Sequence, residues 1–299
     1  MSHELSASKE NSKKLIVVFS VTTIYMVIEA VAGFLTKSLA LLADAGHMLT
    51  DAGGLGLALL AVWFSSRPAT KRNSFGFYRM EILAAFINAL VLLGISFFIL
   101  YEAWKRFANP PQIQSKQMLL VAIAGFAVNL FSMFVLHRSS EKSLNLKGAY
   151  LEVLSDMLAS VGVIAAGVIM LLTGWYYADP IISALIGVFI LPRTWNLLSD
   201  AAHILLEGTP EHIDLNAVEQ AVLKINGVLG IHDLHIWTIT SGIDSLSAHI
   251  SIENDFDSGK IQTKLEGLFK KQFQITHTTI QFEIGSHADK GCHIYERKQ

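Results

Sequence analysis

The chain has 299 residues, of which 52% are hydrophobic and 16% charged, and its net charge is −2. This composition is too apolar for an ordinary soluble protein, and a charge so near zero offers no field that would attract nucleic acid. Cys292 is the single cysteine, which excludes an internal disulfide framework. We therefore expect a protein that lies in a lipid bilayer and has no nucleic-acid partner.

The N-terminal segment is polar and of mixed charge, and a long apolar run follows it directly. No small-residue cleavage site separates the two, so the pattern favours a retained helix over a removed signal peptide. We predict a cytoplasmic tail at 1–14 and a helical membrane domain at 15–204.

Six segments of this domain approach the roughly 20 apolar residues that a helix needs to cross a bilayer. The second and fifth are interrupted by ionisable residues and are rich in small residues, which let helix backbones approach closely in lipid. The sequence thus predicts an α-helical membrane protein with two special helices. The predicted spans are 15–35, 39–65, 81–104, 117–137, 148–173 and 178–199.

Basic residues in the short loops are concentrated on one side of these spans. The side that carries more lysine and arginine is expected to face the cytoplasm. Both termini are therefore predicted to be cytoplasmic, in a multi-pass protein of the cell inner membrane. The opposite side holds only Lys37, Lys105, Arg106 and Lys116.

Two pairs of ionisable residues lie inside the special helices, namely His47 with Asp51 and Glu152 with Asp156. Each pair is spaced i, i+4, so its two side chains lie on one helix face. Ionisable groups in a membrane span are costly and mark ion or substrate pathways. One imidazole and three carboxylates from two facing helices could form a tetrahedral cage for a divalent metal. Asp44, one turn away, is predicted to be an outer partner of a ligand or a gate.

Metal ions and protons would compete for this quartet, because the ligands must be deprotonated to bind metal. The sequence therefore predicts exchange of metal against protons across the membrane. Other interpretations stay open: hydrogen bonding between helices, an intramembrane zinc-dependent hydrolase, and a metal sensor that does not transport. The chain contains neither HExxH nor Gly-x-Ser-x-Gly. A passive channel is disfavoured because a tight cage holds ions too firmly for rapid conduction.

The pattern changes after Asp200 to that of a small α+β domain, predicted at 205–287 and followed by a tail at 288–299. Helical spacing marks two segments, and alternation of apolar and polar residues marks three strands. The helices are expected at 213–225 and 260–272, and the strands at 231–239, 245–252 and 277–284.

This small domain is unusually rich in histidine. Residues of like parity on a strand face the same way, so His249 and Glu283 could meet His232 at a sheet edge. Imidazole and carboxylate are suitable zinc ligands, although exposed histidines on a sheet are also common. His235 is expected to point elsewhere. Ligand-type residues also occur toward the C-terminus, at His287, Asp289, Cys292 and His293.

The chain resembles the cation diffusion facilitator family of metal/proton antiporters, in particular its bacterial zinc, cadmium and cobalt efflux members. The resemblance implies a homodimer, alternating access, six membrane helices, and a cytoplasmic domain with a metallochaperone-like fold. It implies zinc as the metal and no organic cofactor. It also supports His232, His249 and Glu283, with His277 as a fourth candidate, as a regulatory or dimer-stabilising metal site. The matching segments are 39–51, 75–81, 178–180, 232–237 and 277–281.

One departure from the family pattern concerns the choice of metal. Zinc-type members carry HxxxD in both the second and the fifth helix, whereas Glu152 stands here at the position of the second histidine. The carboxylate is a harder ligand than imidazole, which extends the expected metals to cobalt, cadmium, iron and manganese. The loop before the fifth helix has His137 as its only histidine, whereas many relatives carry a histidine-rich run there.

Overall fold

The computed structural model describes residues 2–65, 67, 69–140, 144–254 and 256–285. Within these ranges, the structure describes only the backbone of residues 2–15, 50–51, 54–62, 64–65, 137–140, 144–149 and 151–152. The chain divides into two compact units, one of residues 1–59 and 85–198 and the other of residues 60–84 and 199–299.

Six long helices make up most of the chain. Five of them contain a described stretch that is long and apolar enough to cross a membrane, and α2 contributes the shorter apolar stretch Leu39–Leu49. The predicted helical membrane fold is therefore confirmed. The helices are α1 (Ser2–Thr36), α2 (Leu39–Ser65), α3 (Met80–Ala108), α4 (Ser115–Ser140), α5 (Leu144–Thr173) and α6 (Ala178–Leu205).

Large apolar side chains cover the outside of the first unit. Phe34, Leu172 and Phe189 are each 78% exposed. Apolar patches of this kind are rare on soluble monomers, but they match a surface surrounded by lipid.

Helices α1, α2, α4 and α5 pack together in the first unit. Leu41 of α2, Met118 of α4 and Val163 of α5 share one buried cluster. Tyr25 of α1 and Met48 of α2 share another. This packing brings the two helices with the predicted metal ligands side by side.

The N-terminus of α2 is capped by a side chain from α6. The Asp179 carboxylate accepts hydrogen bonds from the backbone N–H of Leu39 at 2.9 Å and of Ala40 at 3.2 Å. It also accepts one from the Ser38 hydroxyl at 2.6 Å. The first N–H groups of a helix have no partner within the helix, and lipid cannot supply one. Asp179 thus fixes where α2 begins, two turns before His47.

Arg106 of α3 completes this cap. Its Nη1 lies 3.4 Å from Asp179 Oδ2 and donates to the Lys37 carbonyl at 2.7 Å. The guanidinium therefore balances the buried carboxylate and also binds the turn between α1 and α2.

The second unit contains a three-stranded sheet with two helices. Strands β1 and β2 are antiparallel, β2 and β3 are parallel, and the sheet order is β1-β2-β3. A parallel pair needs a crossover, which α8 supplies here. The predicted α+β domain is confirmed. Its elements are α7 (Leu215–Leu223), β1 (Val228–Thr240), β2 (Ile243–Ile252), α8 (Ser258–Gln272) and β3 (His277–Ile284).

The same unit includes the segment between α2 and α3. Glu81, at the start of α3, accepts hydrogen bonds from the hydroxyls of Thr240 and Ser241 in the β1–β2 turn. Arg79 and Glu207 form an ion pair at 2.9 Å. These polar contacts join the segment to the sheet.

Candidate metal sites

The first candidate site lies between α2 and α5. His47 Nε2 of α2 is 3.7 Å from Asp156 Oδ1 of α5, and the two side chains are only 12% and 8% exposed. The structure therefore brings together one member of each predicted pair. A nitrogen and a carboxylate oxygen at this separation can share one metal ion after a small adjustment.

The other two members of the quartet, Asp51 and Glu152, have side chains outside the described residues. Leu41 of α2 shares a cluster with Val163 of α5, whereas His47 meets Asp156, so α2 and α5 run in opposite directions. Asp51 lies one helical turn further along α2, and Glu152 lies one turn back along α5. Both steps lead to the same side of the described pair, as a four-ligand cage requires.

More acidic groups lie close to this pair. Glu29 of α1 and Asp44 of α2 are both 1% exposed, and each carboxyl group lies close enough to act on the other. Asp44 lies one turn before His47, which agrees with an outer position, although its predicted role as partner or gate stays a prediction. No lysine or arginine among the described residues pairs with Glu29 or Asp44. A cation bound nearby would offset this concentration of acid.

The second candidate site lies on the sheet of the second unit. His232, His249 and Glu283 each offer one ligand atom, and these atoms all lie within 4.8 Å of one another. His232 Nε2 is 3.4 Å from Glu283 Oε2, and His249 Nδ1 is 3.0 Å from Glu283 Oε1. The side chains are 19% to 31% exposed, so water reaches this site.

The strand register explains how these three residues meet. His232 of β1 lies directly opposite His249 of β2. Glu283 of β3 pairs with Ser251, two positions from His249 and therefore on the same face of the sheet. The three neighbouring strands thus contribute one candidate ligand each, and the group spans the sheet face with His249 on the central strand rather than at the predicted sheet edge.

A carboxylate that the sequence analysis missed lies beside this trio. The β1 register shifts between His232 and His235, and Asp233 there adopts a φ of 51°. This bulge places Asp233 Oδ2 3.9 Å from His249 Nε2 and Asp233 Oδ1 3.0 Å from His235 Nε2. Asp233 is thus within hydrogen-bonding distance of His235, whereas its contact with His249 is electrostatic. The sequence indicated Asp233 only through its place between His232 and His235, because the alternation of apolar and polar residues does not reveal a bulge.

The remaining predicted residues are not brought into the trio. His277 begins β3 and contacts the edge of Phe75, with 5.8 Å between ring centroids. Its role as a fourth ligand stays a prediction. His287 and the residues that follow it, Asp289, Cys292 and His293, lie outside the described part of the chain.

The apolar helices and the buried His47–Asp156 pair fit a multi-pass membrane protein that handles metal cations. A model of the cation efflux transmembrane domain matches residues 15–206, and a model of the cation efflux protein cytoplasmic domain matches residues 210–284. The chain belongs to this cation efflux family, also known as the cation diffusion facilitators. Membership of this family confirms the resemblance. It also confirms the prediction that the chain is a transporter and not an enzyme.

Three relatives illustrate the family's substrates. The chain is 46% identical to the metal cation efflux system protein CzcD of Cupriavidus metallidurans, over 98% of this chain and 93% of the relative. It is 43% identical to a cadmium, cobalt and zinc/H(+)-K(+) antiporter of Bacillus subtilis, over 93% and 90%. It is 41% identical to the zinc transporter ZitB of Yersinia pestis, over 95% and 91%.

A solved structure of the metal-bound C-terminal domain of the CzcD transporter from the same Cupriavidus species is also similar. It is 40% identical, covers 24% of this chain and 99% of its own, and superposes with a TM-score of 0.23.

Proposed function

We propose that the protein exports divalent metal, with zinc as the preferred ion, from the cytoplasm in exchange for protons by alternating access. The transport site consists of His47, Asp51, Glu152 and Asp156. The proposal depends chiefly on the proximity of His47 and Asp156, which come from two different membrane helices and are both nearly buried. Such groups are costly in lipid, and where they occur in membrane helices they mark ion pathways.

The ligand set favours a borderline metal. One imidazole nitrogen and three carboxylate oxygens suit zinc in a tetrahedral geometry. Glu152 in place of a second histidine makes the site harder, so cobalt, iron and manganese are further substrates. Cadmium, a softer ion, is added because it occurs in the name of a similar protein. The names of the similar proteins include zinc, cadmium and cobalt.

Proton exchange follows from the same ligands. When protons occupy the imidazole and carboxylates, metal affinity falls, and when metal binds, protons leave. Export is then driven by protons that enter the site from the opposite side of the membrane. The name of the Bacillus subtilis relative includes exchange for protons and potassium ions.

The sheet trio is proposed to bind a second zinc ion that regulates transport or stabilises a homodimer. The proposed boundaries are 15–204 for the membrane domain and 205–287 for the cytoplasmic domain. Both termini face the cytoplasm, and the protein lies in the inner membrane. This arrangement places the trio in the compartment from which metal is exported.

Flux through reconstituted lipid vesicles tests the transport proposal. Zinc, cadmium, cobalt, manganese and iron(II) are each offered with and without an imposed pH gradient. We expect zinc uptake that rises with the gradient and disappears in Asp51→Ala. Ser132→Ala, at a buried serine of α4, is the control and should transport normally. Zinc binding without any flux would instead identify a sensor.

A further inference from the structure

Glu29 is a buried acid of α1 that does not belong to the proposed ligand quartet. Its side chain is 1% exposed in a stretch of helix suited to crossing the membrane. An ionisable residue at such a position is expected to have a function. Metal coordination by the quartet leaves Glu29 unexplained.

The Tyr25 hydroxyl lies between two hydrogen-bond acceptors, one of which is Glu29. The Tyr25 hydroxyl lies 2.9 Å from Glu29 Oε1 and 3.2 Å from the Val121 carbonyl oxygen of α4. A tyrosine hydroxyl carries one hydrogen, and a carbonyl oxygen can only accept. If Tyr25 donates to Val121, then the hydrogen between Tyr25 and Glu29 must come from Glu29 as a carboxylic acid. If Glu29 is ionised, Tyr25 must donate to Glu29 and release Val121.

The packing around Tyr25 keeps its hydroxyl within reach of both Glu29 and the Val121 carbonyl. A side chain at Gly125, one turn from Val121 on α4, would collide with the Tyr25 hydroxyl. The glycine therefore admits the hydroxyl to the helix surface, where it reaches the carbonyl. Two hydrogen-bond patterns that differ by one proton on Glu29 are available to the same set of atoms.

Within the described part of the chain, the charged groups that act on Glu29 are acidic. Asp44 of α2 and Asp156 of α5 both act on it electrostatically. On the α4 side, the neutral Val121 carbonyl contacts the Tyr25 hydroxyl, which in turn contacts Glu29. Among the described residues, Glu29 Oε2 and Asp44 Oδ1 have no hydrogen-bond partner. Two neighbouring carboxyl groups in a dry site cannot both be ionised at low cost, so one of them is expected to hold a proton.

We propose that Glu29 is a proton-binding residue of the exchange cycle, separate from the metal ligands. Without metal, its carboxylate takes a proton from hydronium, forming an O–H bond and leaving water. When a divalent cation enters the quartet, its charge stabilises the Glu29 carboxylate through the low-dielectric interior. The O–H bond then breaks and the proton returns to water. This inference rests on the proposed metal/proton exchange and identifies one proton carrier within it.

Two assays on the same vesicles test the inference. The first measures net zinc uptake driven by a pH gradient, and the second measures exchange of labelled for unlabelled zinc at equal pH. Exchange requires metal binding and the conformational change but no net proton movement. We expect Glu29→Gln to lose gradient-driven uptake and to retain zinc exchange, with one proton fewer released per zinc bound. Ser132→Ala should behave as wild type in both assays.

A second variant distinguishes proton binding from a merely structural role. Tyr25→Phe removes the hydroxyl that switches between Glu29 and Val121 but keeps the ring. We expect it to retain zinc exchange and to shift the pH at which gradient-driven uptake is half-maximal. An unshifted pH profile would contradict the role of Tyr25 in this switch.

The outcomes separate this inference from the proposed function. If wild-type protein shows no gradient-driven uptake, the proposed exchange itself fails. If wild type couples to protons and Glu29→Gln does so equally, Glu29 is not the carrier. Loss of both zinc exchange and zinc binding in Glu29→Gln would also overturn the inference, because the residue would then support the metal site or the fold.

Discussion

The two candidate metal sites use the same kinds of ligand in opposite surroundings. His47 and Asp156 lie between two apolar helices with buried acids nearby, whereas His232, His249 and Glu283 lie on a sheet that water reaches. A vacant site in lipid has no water to solvate its charges, so protons are expected to replace the metal when it leaves. The sheet site can lose its metal at lower cost. We therefore expect obligatory exchange for protons at the first site and reversible metal binding without such exchange at the second.

The largest effect is expected from loss of a membrane ligand. Asp156→Ala should reduce zinc flux to the level of protein-free vesicles, because it removes one of two described ligands that come from opposite helices. Labelled zinc uptake measures this effect, and the elution profile in detergent checks the fold. Substantial remaining flux in a folded variant would place the transport site elsewhere.

Loss of a sheet ligand should affect binding rather than transport. In protein that also carries Asp156→Ala, Glu283→Ala should remove the remaining tight zinc equivalent, as measured by equilibrium dialysis. Asp233→Asn should weaken it to a smaller extent, since Asp233 Oδ2 lies 3.9 Å from His249 Nε2, beyond hydrogen-bonding distance. His212→Ala is the control because this histidine pairs with Asp244, outside the trio. An equal effect of all three substitutions would contradict the assignment.

Loss of the α2 cap should destabilise the membrane unit. Asp179→Ala leaves the N–H groups of Leu39 and Ala40 without their acceptor. It also removes the buried carboxylate beside Arg106, which keeps Glu102 and the Lys37 carbonyl as partners. We expect the free energy of unfolding to fall by roughly 3 kcal/mol, as measured by thermal unfolding in detergent. Glu102→Gln, a change at a more exposed partner of Arg106, should cost less than about 1 kcal/mol. Similar losses for both variants would contradict the capping role.

A smaller effect is expected on metal preference. Glu152→His replaces a hard oxygen by an imidazole nitrogen and should favour zinc over manganese without abolishing flux. Competition between the two ions in vesicle uptake measures this change. Unchanged selectivity would indicate that residue 152 does not contact the metal.

The sequence predicted those features that depend on neighbours along one helix or strand. Apolar length predicted the helices, and i, i+4 spacing predicted the membrane quartet, of which the structure describes His47 and Asp156 close together. Strand parity indicated that His232, His249 and Glu283 could meet. The helices nevertheless extend beyond several predicted spans, since α1 starts at Ser2 and α6 ends at Leu205. Polar residues can continue a helix outside an apolar region, so hydropathy marks the span and not the helix end.

Features that depend on distant partners could not be predicted. Asp179 caps a helix that begins 140 residues earlier in the chain. Tyr25 reaches a carbonyl on α4, and Asp233 depends on a bulge with positive φ. Each contact is decided by tertiary packing, and a single sequence carries no pairing signal for it.

The central claim is that four side chains from α2 and α5 bind one metal ion together. X-ray absorption spectroscopy of zinc-loaded protein carrying Glu283→Ala, which disables the sheet trio, tests it directly. We predict one imidazole nitrogen and three oxygens at about 2.0–2.2 Å, with a second nitrogen appearing in Glu152→His. A shell of several imidazoles, or a spectrum unchanged by Asp156→Ala, would contradict the account.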